Sequence, residues 1–382
     1  MKKIIKIGLS ILRGFSIPLM NFIIIITGIK YFGKENWGEY LNVIIWISFI
    51  VFILNWGNKD YLIRKYGKNP SKINSFFLSN LITRSLLLPI TLFLFIFFPF
   101  KVATLAVLII ILSLLYNSFE SLIIYHQKFG QQVIIEAIGF GVFFGAIHCT
   151  VNFNIINILQ FYCLSIFVKL LLVIGLFKKF KNPIHIKVTL NELLFSFPFF
   201  ALGLSGMINS KIDLYLVTIF LPNQTLSSYQ TITASFLMLQ ALSVFITAPI
   251  NKSFYRSNDK IINKLKKILK KITIPITILG SFCIWFLLEK YLKLGLSKTI
   301  YFLSFFASIP AFYYIIPILN LYKHKKEKIV LHTNIIITLF NVTMSFILLK
   351  TIGLEGVFIS VCISQWIYLL TIKQYENTAS KL

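Results

Sequence analysis

The sequence predicts an all-α integral membrane protein with about twelve transmembrane helices in two six-helix halves, and three observations predict it. Of its 382 residues, 57% are AVILMFWYC, 13% are charged and 39 are Phe, giving a mean hydropathy of +0.82 that no water-soluble core of this length requires. Apolar runs of about 20 residues, the length a helix needs to cross a bilayer, recur along the whole chain. The 38 Lys+Arg, set against 12 Asp+Glu, concentrate in alternate loops, as membrane topology demands.

Cutting at polar residues and at Gly/Pro breaks places the spans at 7–29, 41–56, 74–99, 102–124, 133–151, 155–177, 193–219, 228–250, 272–288, 299–322, 329–349 and 356–372. The narrowest cuts are at 99–102, where only Pro99, Phe100 and Lys101 intervene, and at 151–155; either pair of runs, read as one re-entrant element, would bring the count to ten. Lys2, Lys3 and Lys6 ahead of the first run imitate a signal peptide, but no small-residue cleavage site follows, so the first segment is expected to remain as a membrane helix.

With the N-terminus inside, cytoplasmic segments hold 27 Lys+Arg, outer loops 7 and the spans themselves 4. The one discordant region is Lys290, Lys293 and Lys298, basic on the outer side. Both termini are then cytoplasmic, as is a basic linker over 178–192 that separates an N-terminal half, 1–177, from a C-terminal half, 193–382. An even number of spans per half makes the halves a parallel repeat, and Gly14/Pro18 in the first span match Pro198, Gly203 and Gly206 in the seventh. Interrupted helices at corresponding positions point to a transport site.

Cys149, Cys163, Cys283 and Cys362 lie in or beside apolar runs without paired or metal-type spacing, so they are expected to be free packing residues. No Walker A, GxSxG or HExxH pattern occurs, which leaves no support for an ATPase or hydrolase and no implied cofactor or metal.

Several stretches carry a family resemblance. Tyr31-Phe32-Gly33-Lys34-Glu35-Asn36-Trp37-Gly38-Glu39-Tyr40, then Asn55-Trp56-Gly57 and Tyr61-Leu62-Ile63-Arg64, resemble the first outer loop and second helix of Wzx-type polysaccharide-biosynthesis flippases. Ser210-Lys211-Ile212-Asp213, Leu226-Ser227-Ser228-Tyr229-Gln230 and Ala248-Pro249 are similar to that family's signature in the seventh and eighth helices. Gly353-Leu354-Glu355-Gly356-Val357-Phe358-Ile359-Ser360 resembles its last hairpin. The sequence departs in two places, with Lys211 where Arg is usual and Ser227-Ser228 where Gly is usual. The resemblance implies the multidrug/oligosaccharidyl-lipid/polysaccharide (MOP) exporter superfamily, a MATE/MOP-like fold of two bundles, and alternating access.

Charges inside spans are costly and become the candidate site. The basic candidates for a cationic, substrate-binding cleft are Arg13, Arg84, Lys169 and Lys211; the acidic ones, with coupling or structural roles, are Glu120, Glu136 and Asp213. By depth, Arg84 has Glu120 as a potential partner and Lys169 has Glu136, so each couple is open to reading as an interhelical ion pair. Arg13 has no acidic neighbour at its depth, and its planar guanidinium suits phosphate oxygens. Lys211 and Asp213, two apart on one helix, are expected to point about 200° from each other, one to the cleft and one to a neighbouring helix. Asn21, Asn55, Asn80, Asn117, Gln160, Asn209, Gln240 and Asn320 are candidates to bond sugar hydroxyls or to join helices, Gly141 and Gly145 to mark close helix packing, and the basic amphipathic run Lys260–Lys271 to lie on anionic headgroups.

The function expected is translocation of undecaprenyl-diphosphate-linked oligosaccharide units, of the O-antigen type, across a bacterial cytoplasmic membrane, without catalysis. Its partners would be that lipid-linked substrate, membrane lipids and polysaccharide-assembly enzymes, and no nucleic acid. A drug/cation antiporter of the same superfamily is the alternative and would want a carboxylate-centred cavity. A glycan polymerase or acyltransferase is a further one, opposed by the absence of long outer loops.

Overall fold

In hydrocarbon every peptide group must find its partner within the chain, and helices achieve this segment by segment. The computed structural model describes residues 2–150, 153–177, 188–254, 259–324 and 326–379, and among them it holds helices, short 3₁₀ and π turns and no strand. The side chain of Arg13 and all but the last residues of the 178–192 linker lie outside the described residues.

Ten described segments are long and apolar enough to cross a membrane. Two features reconcile them with the twelve spans expected. The first segment, Ser16–Lys68, contains the first two spans, joined because α1 (Lys2–Asn55) runs on through a non-helical Gly33 at φ 80°, ψ 167°. The eighth span falls on α10 (Asn223–Phe254), whose opening turns are rich in Ser, Thr and Gln and which is not one of the ten. The narrow cut at Pro99 stands, because extended backbone there separates α4 (Leu94–Phe97) from α5 (Phe100–Ser118).

The chain divides into two compact units, Met1–Leu204 and Ser205–Leu382. In the first, α5, α7 (Phe129–Cys149) and α8 (Ile155–Leu176) pack on one another and on α1, while α2 (Asn58–Lys68) packs on α6 (Glu120–Tyr125) and on α3 (Ile73–Ser85). In the second, α12 (Lys298–Lys323) is central, covered by α10, α11 (Asp259–Trp285) and α14 (Leu354–Ala379), and α13 (Glu327–Ile352) pairs with α14. The division falls inside α9 (Asn191–Phe220), beyond the linker, because the first turns of α9 are bonded to the N-terminal unit.

Three of the resembling stretches acquire physical reasons. Gly28 admits Trp37, since a methyl there would lie 2.2 Å from the indole, and the fully buried ring packs on Tyr40 at 4.6 Å. Gly57 takes φ 67° as α1 gives way to α2, and a methyl on it would come 2.6 Å from the Phe200 backbone nitrogen. At the last hairpin Gly353 turns the chain at φ 75°, and Gly356 lets α14 approach the Leu348 carbonyl, which a methyl would meet at 2.3 Å.

Large apolar side chains stay on the outside, Ile96 73%, Leu194 69% and Leu279 67% exposed, as a hydrocarbon solvent allows. The four cysteines are free. The packing expected of Gly141 and Gly145 is not found: a methyl at either meets open space. The close approach on α7 is at Gly139, whose missing side chain is replaced by the stem of Lys169.

Candidate functional site

Three of the intramembrane charges of the N-terminal unit, Arg84, Lys169 and Glu136, are committed to structure. Arg84 is 1% exposed, and each arm of its guanidinium has a taker: Nε donates to Asn80 Oδ1 at 2.8 Å, one terminal nitrogen to the Leu54 carbonyl at 3.3 Å and the other to Ser118 Oγ at 2.6 Å. The pair expected with Glu120 is not formed by Arg84. The reason is local: α1 breaks at Trp56-Gly57, which deprives the Leu54 carbonyl of a helical donor, and the guanidinium supplies one. Glu120 opens α6, half-buried. So placed, Arg84 has no surface to offer a cleft.

Lys169 and Glu136 do pair across α8 and α7, at 2.9 Å, as their depths suggested. Tyr116 completes the cluster, donating to Glu136 at 2.7 Å with its ring 5.8 Å from the ammonium. With side chains 18% and 12% exposed, loss of one partner strands the other. Glu136→Gln or Lys169→Met alone should therefore cost about 2–3 kcal/mol of stability, and the double replacement should recover most of it. Thermal unfolding of the four purified forms measures the coupling, and strictly additive losses would disprove it.

The start of α9 is tied to α2 by groups the sequence did not single out. Glu192 accepts from Tyr61 at 2.7 Å and pairs with Lys65, Trp56 Nε1 donates to the Leu193 carbonyl at 2.9 Å, and the Trp56 ring stacks on Phe200 at 4.2 Å. Trp56 and Tyr61, from the resembling stretches Asn55–Gly57 and Tyr61–Arg64, thus help to fasten α9, and their aromatic character was the available clue.

In the C-terminal unit a cavity of about 470 Å³ opens among α9, α10, α12, α13 and α14. From α9 come both Lys211 and Asp213, contrary to the expected division of roles. Asp213 turns to α10, where the buried Tyr229 donates its hydroxyl hydrogen to the carboxylate, and still borders the cavity; the long Lys211 stem reaches the same wall from the exposed side of the helix. Gln240, a candidate from sequence, lines the cavity; Asn80 and Asn320 instead serve Arg84 and Glu376, and the Asn209 side chain lies outside the described residues.

The rest of the lining was missed. Ser304 and Tyr314 come from α12, Asn334 and Asn341 from α13, Ser364, Gln365 and Tyr368 from α14. With Gln230 from α10, four buried atoms of the lining, Gln230 Oε1, Ser304 Oγ, Ser364 Oγ and Gln365 Oε1, have no hydrogen-bond partner among the described residues. Buried polar atoms are nearly always satisfied, so a cluster of exceptions around one space marks a place built for polar contents. Among the described residues Lys211 makes no ion pair, and the cavity presents one cation, one carboxylate engaged by a phenol, and a wall of amides and hydroxyls.

No protein-family model matches the chain, and no curated protein sequence does. Solved structures do. The lipid II flippase MurJ in an inward closed conformation is similar over 96% of this chain and 86% of that one, with TM-score 0.77 at 17% identity. An inward-facing multidrug resistance MATE family transporter of the MOP superfamily is similar over 98% and 99%, with TM-score 0.63 at 13% identity. The fold is that of the MOP superfamily. A eukaryotic MATE transporter is similar over 98% and 97%, with TM-score 0.60 at 14% identity, so the MOP architecture accounts for the chain from end to end. At these identities the likeness is one of architecture. The cavity belongs to the C-terminal half and borders α9, the seventh span, but the interruptions expected there and in the first span are absent: α9 is helical from Asn191 to Phe220 through Pro198, and α1 is helical through Pro18.

Proposed function

We propose that this chain is a transporter that moves undecaprenyl-diphosphate-linked oligosaccharide units, of the O-antigen type, from the inner to the outer leaflet of a bacterial cytoplasmic membrane. It works by alternating access, without catalysis or cofactor, and both termini are cytoplasmic, in keeping with the inner excess of Lys and Arg. The observation that carries the reading is the composition of the C-terminal cavity. A membrane-embedded cation, Lys211, stands beside unpaired amide and hydroxyl oxygens. Those are the groups that a diphosphate and its neutral sugars would engage. Arg13 is the second cation assigned to the phosphates. The lipid II flippase among the similar folds supports a lipid-linked passenger.

The second reading, a drug/cation antiporter, is favoured by Asp213 on the same wall and by the MATE folds. The two part in a strain that lacks its own oligosaccharide flippase and its main drug exporter. The chain should restore surface polysaccharide and leave drug resistance unchanged. Resistance gained without polysaccharide would establish the antiporter.

A further inference from the structure

A second, smaller pocket of about 270 Å³ lies between α11, α12 and α14 and shares no lining residue with the cavity above. Its rim carries Lys266 and Lys270 from α11 and Lys373 and Glu376 from α14; Leu269, Phe312 and Pro317 beneath them are buried, and one turn deeper, on the faces of Lys270 and Lys373, Ile274 and Leu370 are exposed. The charges are unequal in standing. Lys266 pairs with Glu376 at 2.7 Å, and that carboxylate, 5% exposed, also accepts from Asn320 at 2.9 Å, so its charge is spent within the protein. Lys270 and Lys373 are exposed and, among the described residues, pair with no carboxylate; the Tyr313 ring centre lies 5.4 Å from the Lys373 ammonium.

Two uncancelled cations one turn above exposed apolar side chains, at one end of a membrane protein, match a ligand with a negative head and a hydrocarbon tail. The start of α11 and the ends of α12 and α14 meet here, where the basic run Lys260–Lys271 also lies. We propose that this pocket is a docking site for an anionic glycerophospholipid of the adjoining leaflet, its phosphodiester held by Lys270 and Lys373 and its acyl chains laid along Ile274 and Leu370. A soluble phosphate would leave those apolar side chains unused. The lipid braces α14 against α11 and plays no part as passenger.

The full chain in uncharged detergent, titrated with phosphatidylglycerol or phosphatidylcholine and read by native mass spectrometry, tests this. Phosphatidylglycerol should bind at least about tenfold more tightly. Each cation near a surface phosphate is worth about fivefold, so Lys270→Gln with Lys373→Gln should weaken phosphatidylglycerol about 30-fold. Lys267→Gln with Lys271→Gln takes the same charge from exposed positions outside the pocket and should change binding by less than about twofold. Equal losses from the two pairs, or no preference between the lipids, would overturn the site. Displacement of phosphatidylglycerol by lower concentrations of undecaprenyl diphosphate would overturn it too, by making the pocket a passenger site.

Discussion

Arg84→Ala should remove the folded protein from the membrane. Three donors of one guanidinium close three separate gaps: the Asn80 amide one turn back on α3, the Leu54 carbonyl where α1 ends, and the Ser118 hydroxyl at the last residue of α5. Each bond to a charged donor contributes about 1.5–3 kcal/mol, and a buried carbonyl left without a donor costs about 1–3. Relief from burying the charge offsets part of this, leaving a net loss of about 3–5 kcal/mol, a large share of a typical folding free energy. Lys in its place keeps the charge but has no fork to reach acceptors on α1, α3 and α5 together, so it should rescue little. The measurement is the amount of monodisperse protein extracted and its unfolding temperature. Arg84→Ala protein that accumulates and melts like the parent, yet does not transport, would return Arg84 to the cleft.

Lys211→Gln should have the opposite profile. An unpaired ammonium in the membrane opposes insertion by about 2.5–3.5 kcal/mol, so its removal leaves abundance equal or higher. If it holds a phosphate oxygen of the passenger, one charge-assisted bond of about 1.5–3 kcal/mol disappears, a loss of about 10- to 100-fold in transport. Lys211→Arg, which restores the residue usual in the resembling family, should transport at least as well as the parent. Polysaccharide export at matched protein level reads both. Full activity of Lys211→Gln would move the phosphate contact away from α9.

The spans were legible because membrane burial writes itself as run length, a one-dimensional property. The Lys169–Glu136 pair was legible for a similar reason: both helices run straight from a known boundary, so depth counted in residues was depth in space. The same count placed Arg84 correctly inside α3, yet the pair with Glu120 did not follow. What depth could not show is the break of α1, whose freed Leu54 carbonyl takes the guanidinium together with Asn80 and Ser118. Gly141 and Gly145 satisfied a spacing rule, but spacing names a helix face and not what lies opposite it. The cavity lining was hidden because its serines, amides and tyrosines are spread over four helices, α10, α12, α13 and α14, each indistinguishable in sequence from a residue that bonds its own helix. Thr231, Ser235 and Ser308, close by in the chain, do that.

The four unpartnered atoms beside that cavity give it a means of choice. With the cavity empty, Gln230, Ser304, Ser364 and Gln365 each keep one buried atom without a partner among the described residues, a cost of about 1–3 kcal/mol for each group. Contents bearing hydroxyls or amides, toward which these side chains can turn, relieve that cost, whereas a hydrocarbon of the same size relieves none of it. In the proposed transporter, such a wall would favour a polar cargo through strain already present in the empty site.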